Sequence, residues 1–83
     1  MIVDVVRVEV LEGRCLRLGF DDGTEGVVDI ARLVPFEGVF APLEDPVIFA
    51  QVRVNADLGT IVWPNGADLD PAVLHQSAIA SGT

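Results

Sequence analysis

The residues able to do chemistry are few and scattered. His75 is the sole histidine and Cys15 the sole cysteine, so no cluster of several nitrogen and sulfur ligands can form within one chain. The carboxylates Asp21, Asp22, Asp57, Asp68 and Asp70 do not follow a calcium-loop spacing. The nearest stretch, Asn65 to Asp70, has its glycine in the wrong place and no bidentate glutamate downstream. Neither a metal nor a cofactor is expected. Ser77 stands two residues after His75, and side chains at that spacing on a helix do not face each other. No Gly-x-Ser-x-Gly elbow is present. Cys15 alternates out of the Leu16, Leu18, Phe20 face and reads as a packed or half-exposed thiol. Arg14 and Arg17 are the one hint of the positive neighbourhood that a reactive thiolate needs. Asp21 and Asp22 share a wet turn, whereas acid/base work needs two carboxyls in unlike environments. No catalytic residue is nominated, and the chain reads as a non-enzyme ahead of an enzyme.

One stretch is dense in unusual residues: Trp63-Pro64-Asn65-Gly66-Ala67-Asp68-Leu69. Read functionally, it is an interaction rim with Trp63 as anchor and Asn65 and Asp68 as polar contacts. Read structurally, it is a core tryptophan, an Asn-Gly turn and a buried Asp68 that accepts backbone N–H bonds. The structural reading is preferred, because so small a domain needs its one tryptophan in the core. Asp29 is a further candidate if this loop lines a ligand site.

Charge adds a located signal. Thirteen acids face five arginines and no lysine, for a net charge of −8. Residues 1–20 are neutral, and the whole excess follows Phe20. Direct nucleic-acid binding and docking on an anionic membrane are disfavoured, since both need basic patches. A small basic protein partner fits. The interface candidates are the acidic turn Asp21, Asp22 and Glu25 and the rim around Asn65 and Asp68.

The elements that must position these groups fit in a single domain of 83 residues, with about 81–83 as a frayed tail. No apolar run reaches the length of a membrane helix. The Met-Ile-Val-Asp start lacks a basic segment and predicts no signal peptide. A single cysteine fits a reducing cytoplasm. Ile2–Val10, Cys15–Phe20 and Thr24–Ile30 read as an antiparallel meander, with Asp22-Gly23 as its tight turn. One helical turn over 29–34 should end at Pro35. Residues 37–43 read as loop, with Phe40 and Leu43 inward. Asp45-Pro46 and Asp70-Pro71 each give an acidic cap followed by proline at the first helical position. They predict helices running to about Gln51 and to Ala80. Val52–Asn55 and Thr60–Trp63 make a second hairpin. Leu74 and Ala78, widened by Val73, form the apolar stripe of the last helix. His75 falls at that helix's surface or rim. The class is α+β: a small two-layer domain with an N-terminal three-stranded meander, a short helix, a second hairpin and a C-terminal helix.

Taken in order, Phe20-Asp21-Asp22-Gly23-Thr24, Val28-Asp29-Ile30, Phe40 through Phe49 and Ile61 through Leu69 resemble the small bacterial domain of unknown function numbered 2442. The likeness runs from about Val5 to Leu74. It implies an α+β fold and carries no established activity or catalytic residue. It also implies a setting in toxin–antitoxin-like gene pairs. Some relatives carry a C-terminal helix-turn-helix, for which a chain ending at Thr83 has no room.

Two functions therefore compete. The first is a non-enzymatic protein-interaction module, the acidic partner in such a pair. The second is a small ligand-binding or enzymatic domain with its site around the Trp63–Asp68 loop. A self-associating homodimer is a third reading, since short sheets leave exposed edges.

Overall fold

The computed structural model describes residues 3–81, with the side chains of residues 79–81 outside the description. Three strands form an antiparallel sheet in the order β1-β2-β3: β1 Val5–Val10, β2 Cys15–Phe20 and β3 Glu25–Asp29. The meander begins later than expected: Ile2 lies outside the described residues, and Asp4 pairs with Asp21 just beyond the strand end. The third strand is shorter at both ends. Asp29 turns the chain into helix α1 (Ile30–Leu33) by accepting the N–H of Arg32, which assigns it to a cap and not to the tryptophan loop.

Side-chain alternation sorts the sheet into two faces. The rows Val8–Leu18–Gly26 and Leu16–Val28 point to the core, while Val10 at the end of β1 is 40% exposed. The rows Arg7–Gly19–Glu25 and Glu9–Arg17–Val27 point away from it. This is the pattern of an antiparallel sheet with one packed face and one wet face.

Residues 38–44 correct the loop expectation. Gly38–Glu44 winds as 3₁₀ helix, with Leu43 fully buried and Phe40 partly buried against the core. Pro42 sits inside this segment; its fixed φ suits the tight helix. Arg14 pins the segment from the β1–β2 connection. It donates to the carbonyls of Leu43 and Glu44, and its guanidinium lies 5.6 Å from the centre of the Phe49 ring. Helix α2 (Pro46–Phe49) starts as expected, with Asp45 capping the N–H of Val47, and ends two residues early.

The second hairpin joins β4 (Arg53–Asn55) to β5 (Thr60–Val62). Trp63 leaves the ladder because its N–H turns to the carbonyl of Ala67. Helix α3 (Pro71–Ser81) is capped by Asp70, which accepts the N–H of Ala72. Leu74 and Ala78 are buried, but Val73 is 44% exposed. The stripe is therefore narrower than the sequence suggests, and along it α3 approaches β3 closely. Gly26 makes that approach possible: a Cβ there would lie 2.5 Å from the backbone oxygen of Ala78. The remainder of the expected frayed tail, Gly82 and Thr83, lies outside the described residues.

Alanine ordinarily suits a strand interior no worse than glycine. Here Gly26→Ala should destabilise the protein by about 1–3 kcal/mol, because the obstacle is helix backbone and cannot rotate away. Urea unfolding followed by circular dichroism reads the change as a lower midpoint.

Candidate functional site

Two groups of nominated residues occupy separate places. The first lies at the β2–β3 tip. There Asp22 Oδ1 accepts from both the backbone N–H (2.9 Å) and the hydroxyl (2.6 Å) of Thr24. These bonds fold the Asp-Asp-Gly-Thr sequence into its turn. Its other oxygen, Oδ2, is 3.0 Å from His75 Nε2 on α3, and Thr24 Oγ1 is 3.1 Å from the same nitrogen. The His75 ring also stands edge-on to Phe20 at 4.8 Å. Histidine thus sits at the rim of α3, as expected, and it does more there than fill a surface. It latches the helix to the hairpin tip across more than fifty residues of chain.

An aspartate, a histidine and a hydroxyl in contact invite comparison with a catalytic triad. The geometry differs. A triad holds its carboxylate on one ring nitrogen and its nucleophile on the other. Here both partners meet the same nitrogen, so the ring cannot relay a proton between them. Asp21 is spent locally as well, accepting the N–H of Asp4. Glu25 points to the opposite face of the sheet and pairs with Arg7 at 3.2 Å. The acidic turn thus splits: Asp22 faces α3 and Glu25 faces the wet side.

The second group is the tryptophan loop. Trp63 is buried, 1% exposed, and its indole N–H donates to the carbonyl of Phe49 at 3.0 Å. Its ring packs against the Phe49 ring at 5.9 Å. The tryptophan therefore supports the loop from beneath and offers no surface to a partner. The loop is fixed by Asn65 instead of Asp68. Asn65 Oδ1 accepts the N–H of Ala67, and Nδ2 donates to the carbonyl of Val39 at 2.8 Å. Asp68 is exposed, a correction to its expected burial; its backbone bridges to Val62. Asn65 and the 51%-exposed Val39 share one rim, and the exposed Asp68 follows three residues along the same loop.

The wet sheet face holds what residue-by-residue reading missed. Arg7 crosses above Gly19 to reach Glu25 two strands away. A Cβ on Gly19 would lie 2.6 Å from the Arg7 guanidinium. Beside it Arg17 pairs with Glu9 at 3.1 Å. The period-two placement of Arg7 with Glu9, and of Arg17 with Gly19, was the available signal. Cys15 is a free, half-buried thiol. Among the described residues no group of three metal-ligating side chains comes together, and no helix is long and apolar enough to cross a membrane.

A family model described as protein of unknown function (DUF2442) matches residues 5–80. Neither a curated protein nor a solved structure matches the chain.

Hydrogen bonds from Thr24, and then from His75 with its charge, hold the Asp22 carboxyl below the ordinary carboxylate range. A depressed folded-state pKa adds stability that is present above the unfolded value and lost as pH falls through the folded one. Wild type should therefore lose stability as pH drops below about 4, and Asp22→Asn should flatten part of that loss. Urea midpoints at neutral and acid pH make the comparison.

Proposed function

The chain belongs to the DUF2442 family, and we propose that it is a non-enzymatic protein-interaction module whose acidic surface receives a basic protein partner. The observation that carries this is the charge left over inside the fold. Of thirteen acidic residues, only Glu9 and Glu25 pair with an arginine and only Asp22 with the histidine among the described residues. The others meet backbone N–H groups or solvent. Exposed carboxylates of one sign steer an oppositely charged partner and raise its on-rate.

The hairpin-tip acids contribute less than their number suggests, since Asp21, Asp22 and Glu25 all have internal partners. The rim of Val39, Asn65 and Asp68 is the better contact. It combines an exposed apolar side chain, a loop held rigid by two Asn65 bonds and a carboxylate without a partner among the described residues. Preorganised loops lose less entropy on binding. The working setting is a bacterial cytoplasm, with the partner encoded beside this chain in a toxin–antitoxin-like pair.

Co-expression with the small basic protein encoded next to this chain tests the reading. The two should co-purify at low salt and separate as salt rises. Asp68→Lys should weaken the complex by about tenfold or more, because it places like charges together. A neighbour that is not basic, or a complex indifferent to both salt and Asp68→Lys, would overturn the proposal.

A further inference from the structure

The wet face of the sheet carries a second surface of opposite character. β1 ends the strand order β1-β2-β3, and a groove of about 480 Å³ runs between it and β4. At one end the groove is tied off, where the N–H of Val5 donates to Gly59 at 2.9 Å. Consecutive residues form both walls: 6–9 on one side and 52–54 on the other. Valine alternates with charge along each wall, Val6-Arg7-Val8-Glu9 and Val52-Arg53-Val54. The register shifts between Val5 and Arg7, and Val6 within that irregularity lines the groove with its side chain half exposed.

Three of the five arginines, Arg7, Arg17 and Arg53, line this groove in a chain of net charge −8. Arg53 has no side-chain hydrogen bond or ion pair among the described residues. Arg7 meets Glu25 through Nη2 alone, and Arg17 meets Glu9 through Nη1 alone. A guanidinium has five N–H donors, so most of their capacity is unused. Both pairs are exposed, and exposed pairs of this kind contribute little. A second carboxylate can join or displace the first at little cost.

We propose that this groove binds an extended acidic segment of a partner protein, laid along β1 with its carboxylates on Arg53, Arg17 and Arg7 and its apolar side chains against Val6 and Val54. An extended chain alternates its side chains at the same period of two as the walls, and peptides commonly dock along exposed strand edges. Polymeric nucleic acid is the poorer occupant. Its phosphates would feel the full net charge of the chain, whereas a short peptide feels the arginines within a Debye length of about 8 Å. This surface is independent of the rim of Val39, Asn65 and Asp68, so either can fail without the other.

The probe is a synthetic Glu-Val-Glu-Val-Glu peptide with blocked ends, titrated into the whole protein and followed through backbone amide NMR shifts. Its Lys-Val-Lys-Val-Lys counterpart and inorganic phosphate are the controls. The acidic peptide should shift Arg7, Gly19, Arg53 and Val54 with saturation, and about 0.5 M salt should suppress this. Arg53→Glu should weaken binding about tenfold. Glu25→Gln, which removes a competitor for Arg7, should tighten it by about threefold. Both sites are exposed, and unchanged amide spectra elsewhere establish that each variant is folded. Groove shifts caused equally by the lysine peptide overturn the proposal, as does an acidic peptide that shifts other residues or none. Equal shifts from phosphate alone mean a simple anion site and overturn the assignment to a peptide.

Discussion

The burial of Trp63 is the constraint on which the rest of the molecule depends. Two small sheets, one of three strands and one of two, share a single buried cluster with Trp63 in it. The indole ties the second hairpin to Phe49 of α2. Its N–H is satisfied by the Phe49 carbonyl, so a polar group is buried without penalty. Phe49 in turn lies beneath the Arg14 guanidinium, which holds the carbonyls of Leu43 and Glu44. A chain of contacts thus runs from the second hairpin through α2 to the β1–β2 connection. The 38–44 segment is held by this chain and by Asn65 from the far side.

Electrostatics follows from that packing. An antiparallel sheet with one face on the core must solvate the other, and here the solvated face collects Arg7, Arg17 and Glu25 with Glu9. The acids that follow Phe20 are mostly kept off that face, at turns, caps and the tryptophan loop. A protein acidic in bulk therefore presents one mixed, arginine-bearing surface and one acidic rim. Asp22, His75 and Thr24 form no proton relay, since both oxygens meet the same ring nitrogen. Those three residues instead secure the last helix.

Much of the architecture was legible because local chemistry and global packing agree. Asp-Gly between alternating strands predicted the first hairpin. Asp45-Pro46 and Asp70-Pro71 located both helix starts, since capping and proline geometry are local effects. Errors fell where a distant group decided the outcome. Residues 37–43 read as loop because the Arg14 bonds that organise 38–44 come from about thirty residues away. Val73 reads as buried because periodicity does not reveal how the helix is rotated against β3. Asp68 looked like the loop's anchor, yet Asn65 has both a donor and an acceptor and can serve two backbone partners at once.

The α+β class, the strand and helix order, the core position of the tryptophan and the segregation of charge after Phe20 are all written in the amino-acid order. Each rests on short-range rules: side-chain period, turn residues, caps and the need to bury a large apolar ring. Only the tertiary structure decided which acids remain free, that His75 closes on Asp22, and that Arg7, Arg17 and Arg53 meet at one groove. Those outcomes depend on register and on contacts between residues far apart in the chain. A strand's period of two says which residues share a face, but the pairing of β1 with β2 and its approach to β4 decide which faces meet.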